Sequence, residues 1–86
     1  MHEYSLIANL LSKIQKIAIE ESADKIVNVK VKLGALSHIS ADHFREHFVT
    51  GVKNTIADGA NLEVEEDKDL NAKDAQDITL VSVDVE

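Results

Sequence analysis

The stretch from Ile26 to Leu33 alternates between apolar and polar residues along most of its length. A period of two residues is typical of a β-strand that is buried on one face and solvated on the other. The residues expected to face the core are Val27, Val29, Val31 and Leu33. Lys30 and Lys32 fall on the solvated face, where they serve solubility or form a basic docking surface. We therefore expect a sheet with one covered face and one wet face.

Two longer stretches have the apolar spacing of amphipathic helices. The first covers about Tyr4–Ser22, and the second runs from Ser40, a favourable N-cap, to Gly59. The residues expected to form the buried stripes are Leu6, Leu10, Ile14 and Ile17 in the first helix and Phe44, Phe48, Val52 and Ile56 in the second. Gly51 in the second helix costs about 1 kcal/mol relative to Ala, and close packing is the reason that the sequence suggests for it.

Two further runs, Asn61–Glu66 and Ile78–Val85, alternate like strands, and the polar, charged stretch 67–77 between them is predicted as a loop. In the last run, the residues expected on one face are Val81, Val83 and Val85. The order helix-strand-helix-strand-strand predicts an α+β fold with two helices packed on one face of a small three-stranded sheet. With 86 residues, the chain is expected to form a single domain, 1–86.

The composition excludes several classes of function. There is no cysteine, so disulfides, thiolate metal sites and thiol catalysis are all excluded. A net charge of −7 and an aromatic content of one Tyr and two Phe argue against nucleic acid as a partner. The same charge mildly favours cations and basic partner surfaces. The start lacks the pattern of a signal peptide and no stretch has transmembrane length, so we expect a cytoplasmic protein with no membrane partner.

The chain begins Met1-His2-Glu3, and a histidine in second position can bind a metal ion in a way that an internal histidine cannot. The α-amine of Met1, the amide nitrogen of the Met1–His2 bond and the Nδ1 atom of His2 can close two fused chelate rings. Such a planar nitrogen set suits Ni(II) or Cu(II) and leaves a fourth position open. Glu3 can lend an oxygen, and a bulky second residue is expected to hinder removal of Met1. The alternative is a frayed terminus with no ligand role.

Three other histidines are candidate ligands. His38 precedes the second helix and is a candidate fourth nickel ligand if its turn lies near the start of the first helix; chance placement is the alternative. His43 and His47 fit, with Glu46, the His-x-x-Glu-His pattern of inverted zinc proteases. A protease also needs a third ligand and a substrate cleft, so adventitious metal binding or a solvated helix face explains the pair better. We expect a protein that is not an enzyme.

Four segments of the chain resemble, in order, the nickel metallochaperones for hydrogenase and urease maturation, the HypA/HybF type. These segments are Met1–Leu6, Val31–Ser37, Thr55–Val64 and Leu80–Glu86. The resemblance implies a carrier that binds one Ni(II) at Met1, His2 and Glu3 and delivers it during hydrogenase, or else urease, maturation. The partners that it implies are the nickel-handling maturation GTPase and the hydrogenase precursor.

The chain departs from this family at one place. The family normally inserts a zinc domain with two Cys-x-x-Cys pairs between the last two strands, and here 67–77 bridges that gap. No structural zinc of the cysteine type is therefore expected, and the fourth nickel ligand has to come from elsewhere. The alternative function is a metal-free interaction module of the same fold, which docks on the maturation partners or forms a homodimer through an exposed strand edge.

Overall fold

The protein is described by a computed structural model, which covers the backbone of residues 2–86 and the side chains of residues 7–86. Its elements are α1 (His2–Glu20), β1 (Ile26–Leu33), α2 (Ala41–Gly51), β2 (Asn61–Glu66) and β3 (Ile78–Val85). The predicted α+β class and the order helix-strand-helix-strand-strand are confirmed.

The sheet has the strand order β2-β1-β3, with β1 in the centre. β1 pairs in parallel with β2 and antiparallel with β3. A parallel pair cannot be joined by a tight turn, and α2 supplies the crossover between β1 and β2. β2 and β3 consequently form the two edges of the sheet.

The two helices share one hydrophobic core with the sheet. α1 packs against β3 and α2, and α2 packs against β2. The buried apolar residues of this core are Ile7, Leu10, Ile14, Ala18, Ile26, Val29, Val31, Leu33, Ile39, Phe44, Phe48, Val52, Ala57 and Leu62. The predicted stripes are therefore confirmed at most of their described positions, and the opposite face of the sheet carries the polar residues.

Two β-bulges between β1 and β3 overturn part of the predicted alternation. The first bulge lies between Ile26 and Asn28 and makes Val27 the extra residue of β1. Ile26 is fully buried, and Val27 is not part of the core. A second shift makes Val81 the extra residue of β3, and it is 50% exposed. An extra residue turns the side chains beyond it to the other face. The predictions that Val27 and Val81 face the core were wrong; Ile26 and Leu80 pack there instead.

α2 is shorter than predicted. It ends at Gly51 rather than near Gly59, and residues 52–59 form successive turns. Asn54 has a left-handed backbone with φ +64°, and the Thr55 hydroxyl donates to the Val52 carbonyl at 2.6 Å. A left-handed residue and a side chain that bonds the last carbonyls both stop a helix.

The close packing expected at Gly51 is confirmed. A Cβ atom on Gly51 would lie 2.8 Å from Cδ1 of Leu11 in α1. The glycine thus lets the end of α2 approach the middle of α1.

The segment 67–77 consists of turns and is fastened to the end of β1. The Gly34 and Leu36 amides donate to the Asp77 and Ala75 carbonyls at 2.9 and 2.6 Å. A Cβ atom on Gly34 would collide with the backbone of residues 74 and 75, and Ala75 is buried. Gly34 is therefore required by the close approach of two backbones.

Candidate metal centre

One end of the sheet gathers the candidate ligands. We call it the upper end, and it is where β1 finishes at Leu33. β2, being parallel to β1, finishes there, and β3, being antiparallel, begins there. The short link 21–25 joins α1 to the opposite end of β1, where the Asp24 and Lys25 amides donate to the Glu86 carbonyl. α1 therefore runs antiparallel to β1 and begins at the upper end.

The predicted terminal chelate lies at the start of α1, which begins at His2. Met1 and the side chains of His2 and Glu3 lie outside the described residues. Because α1 begins at the upper end, the backbone of His2 lies at the same end of the sheet as the connector 34–40, which carries His38.

His38 is exposed and has a left-handed backbone, with φ +61°. A positive φ is uncommon for residues other than glycine, although histidine is among those that adopt it more often. The turn before it closes with the Ser37 amide donating to the Gly34 carbonyl at 3.0 Å, and the buried Ile39 follows. His38 is thus held in position by its neighbours on both sides.

A shallow cleft of about 280 Å³ joins His38 to the end of β2. It is lined by Leu33, Gly34, Ala35, Ser37, His38, Ile39, Glu66, Asp67 and Lys68. Two carboxylates and one ammonium group line the cleft, and the Asp67 carboxylate also faces Lys32 Nζ at 3.9 Å. The sequence did not predict that Glu66 and Asp67 would share a cleft with His38; the acidic run at the end of β2 was the available signal.

The lysines on the wet face of β1 are engaged by carboxylates. Lys32 Nζ lies 2.9 Å from Asp74 and 3.9 Å from Asp67, and Lys30 Nζ lies 3.4 Å from Glu63 and 3.9 Å from Glu65. The hydrogen bond from Lys32 lowers the pKa of Asp74, and the same bond raises the pKa of Lys32. The face is therefore a set of ion pairs, and the choice between solubility and docking for the two lysines stays a prediction.

His43 and His47 lie on one side of α2, with ring centroids 4.9 Å apart and planes tilted by 33°. The next residues, Phe44 and Phe48, are fully buried, as predicted, and fix the orientation of the helix. His43 is exposed and His47 is partly buried. The expected placement of the pair on the flank of the buried stripe is confirmed.

Over residues 7–86, no group of three or more His, Asp or Glu side chains is arranged to hold one ion. Glu46 consequently does not complete a three-ligand site with His43 and His47. His38 is likewise not gathered into such a group with Glu66 and Asp67. Within the described helical residues, no helix is long and apolar enough to cross a membrane.

Comparison with known proteins gives a family match over most of the chain. Residues 1–83 match the family described as hydrogenase/urease nickel incorporation, metallochaperone, hypA. The hydrogenase maturation factor HypA of Nitrosospira multiformis is 31% identical over 65 residues, which are 76% of this chain and 56% of the relative. HypA of Shewanella halifaxensis is 36% identical over 62 residues, which are 72% and 54%. The chain spans little more than half the length of these curated relatives.

Two solved structures have a similar fold. The solution structure of the Ni metallochaperone HypA from Helicobacter pylori has a TM-score of 0.79 and 21% identity, with 96% of each chain covered. The solution structure of a HypA protein has a TM-score of 0.76 and 23% identity, with 100% of this chain and 97% of that chain covered. At these identities, the likeness concerns the fold.

Proposed function

The chain belongs to the HypA family, and we propose that it binds one Ni(II) ion through Met1, His2 and Glu3 and delivers it during hydrogenase maturation. The observation that carries the proposal is the family match over residues 1–83, which includes the terminal motif. The chain acts as a carrier and not as an enzyme. Urease maturation is a second possible destination, since the family description names both.

The terminal motif supplies three nitrogen ligands, and we propose that the imidazole of His38 is the fourth. Three features support His38: it is exposed, it lies at the upper end where α1 begins, and its backbone is held in an uncommon conformation. Uncommon backbone conformations that the surroundings enforce cluster at ligand sites.

The proposed site suits transfer rather than storage. A planar set with one exchangeable ligand can give up its ion by stepwise replacement of ligands. The partners that we propose are the nickel-handling maturation GTPase and the hydrogenase precursor, in the cytoplasm. Because the chain has no cysteine, a structural zinc held by cysteines cannot contribute. Nickel binding should weaken as the pH falls, because the amine and the imidazole take up protons.

The test is a nickel titration of two proteins that differ at the terminus. One has the free α-amine of Met1, and the other is acetylated there, which converts the amine into an amide without placing a new amine before it. We expect acetylation to weaken nickel binding at least tenfold and to remove the absorption bands of a planar Ni(II) site. His2→Ala should do the same.

The fold of the acetylated protein is checked by circular dichroism and thermal unfolding, which should be unchanged. His38→Ala should leave the tridentate set in place and so change the spectrum more than the affinity. Equal affinity and equal spectra for the native and acetylated proteins would overturn the proposal. The metal-free interaction module would then be the better account, and binding of the maturation partners in the presence of a chelator would test it.

A further inference from the structure

We propose that His43 and His47 form a second metal site, a two-histidine chelate on α2 for a divalent transition-metal ion. The site does not require Met1, His2 or Glu3. It therefore stands or falls independently of the proposed nickel terminus.

The separation of the two rings fits one shared ion. Two imidazole nitrogens that bind one ion at about 2.0–2.1 Å lie about 2.9–3.4 Å apart, for ligand angles from square planar to tetrahedral. Each ring centroid lies about 1.1 Å behind its nitrogen, so the two centroids should be about 4.5–5.2 Å apart. The observed separation of 4.9 Å lies within that interval.

The helix beneath the pair is firmly held. The Ser40 hydroxyl accepts a hydrogen bond from the His43 amide at 3.1 Å and so caps the first turn. Phe44 and Phe48 are buried in the core one residue after each histidine. Residues four apart on a helix lie one above the other, so the backbone already presents both rings on one side. Little ordering is then required when an ion binds.

The pair lies on the flank of α2 that faces α1. Gly51 is four positions beyond His47, on the same side of the helix, and a Cβ atom on it would lie 2.8 Å from Leu11 of α1. On the other flank, Arg45 donates to the Leu62 carbonyl of β2 at 3.0 Å. An ion on the pair would thus sit along the groove between the two helices.

The ligands select the class of ion. Imidazole suits Ni(II), Zn(II) and Cu(II), whereas Mg²⁺ and Ca²⁺ prefer oxygen ligands. In the described part of the chain, no third His, Asp or Glu completes the site. Two protein ligands alone hold an ion less firmly than a closed four-ligand site does.

The experiment uses the full chain acetylated at the α-amine of Met1, so that the terminal chelate, which needs that amine, cannot compete. Zn(II) and Ni(II) are titrated separately by calorimetry, and the imidazole resonances are followed by NMR. We expect one ion per chain, with the His43 and His47 signals shifting together and the His38 signal unchanged. Saturating Zn(II) should raise the unfolding temperature, because the ion binds the folded pair.

Single substitutions then test the pair. His43→Ala and His47→Ala should each weaken binding at least tenfold and remove the thermal stabilisation, whereas His38→Ala should not. A spacing control combines His47→Ala with Thr50→His at an exposed position. This variant keeps four histidines, but positions 43 and 50 are about 10 Å apart along the helix axis, too far to share an ion.

Retained affinity in either single variant, or in the spacing control, would overturn the proposal. So would binding of Mg²⁺ as tight as that of Zn(II), since that would indicate carboxylate ligands. Because the terminal amine is blocked throughout, a negative result leaves the proposed nickel terminus untouched. Binding that is lost on substitution of either His43 or His47 cannot be produced by that terminus alone.

Discussion

Two segments leave the upper end of the sheet side by side, and they differ in what they contribute. The connector 34–40, from β1 to α2, carries His38 and the Ser40 cap. The segment 67–77, from β2 to β3, is the more polar of the two, and yet it buries Ala75, and its carbonyls accept hydrogen bonds from the connector. The comparison teaches that the charge-rich segment has a structural task, whereas the short connector carries the candidate chemistry.

The connector depends on the segment for its shape. Two amides of the connector, at Gly34 and Leu36, have their acceptors in 67–77. The ion pair between Lys32 and Asp74 adds a third link just below them. The segment 67–77 therefore closes the gap between β2 and β3 with contacts that also fix the turn leading to His38.

The largest expected effect comes from separating the two segments at Gly34. Gly34→Ala places a Cβ atom against the backbone of residues 74 and 75, which cannot move aside as a side chain can. Overpacking of this kind costs about 1–3 kcal/mol. Urea unfolding should show this loss in the free energy of unfolding.

Gly51→Ala is the matched control for Gly34→Ala. Its Cβ atom would meet the end of the Leu11 side chain, which can rotate, and alanine gains about 1 kcal/mol of helix propensity over glycine. We expect a change close to zero. If both substitutions cost the same, the contact between the two segments is not what requires glycine at position 34.

A smaller effect is expected where the connector enters α2. Ser40→Ala removes the acceptor of the His43 amide, and loss of an N-cap costs about 1 kcal/mol. Ser40→Gly should cost only a few tenths of a kcal/mol. Thermal unfolding of the two variants measures the difference, and an equal loss would show that the hydroxyl is not the stabilising group. Neither change should disturb 67–77, whose contacts lie at Gly34 and Leu36.

The left-handed backbone of His38 gives the next effect. His38→Ala should destabilise the protein by about 1 kcal/mol relative to His38→Gly, because glycine adopts a positive φ without a steric cost. Chemical unfolding of the two variants gives the comparison directly. An alanine variant as stable as the glycine variant would mean that the turn rearranges and does not hold His38 as described.

The element order was predictable because periodicity reports which face of each element is buried. The bulges at Val27 and Val81 were not, because each lies beside another apolar residue, Ile26 or Leu80, and either register satisfies the pattern. Pairing with the neighbouring strand decides between them. His38, His43 and His47 were named as candidate ligands from residue chemistry, and they stay predictions. The cleft beside His38 was not predicted, because contacts between segments distant in sequence create it.

The smallest expected effect is the pH dependence of the Lys32–Asp74 pair. The pKa of Asp74 is lowered in the folded protein, so its contribution is present above the ordinary value of 3.8 and is lost as the pH falls through the lowered one. The pKa of Lys32 is raised, so its contribution is present below 10.5 and is lost as the pH rises through the raised one. Between these limits the pair should hold 67–77 against β1 with constant strength.

Asp74→Asn should flatten the acid limb of this profile, measured as the urea midpoint from neutral pH down to about pH 2.5, where carboxylates become protonated. The Lys32→Met background supplies the test of cause, because a pair whose members act through each other shows non-additive effects. In that background Asp74→Asn should have little further influence on the acid limb. If Asp74→Asn flattens the acid limb equally in the Lys32→Met background, the limb arises from other partners of Asp74, such as the Thr79 hydroxyl at 3.4 Å. Backbone contacts would then be the link between the two segments.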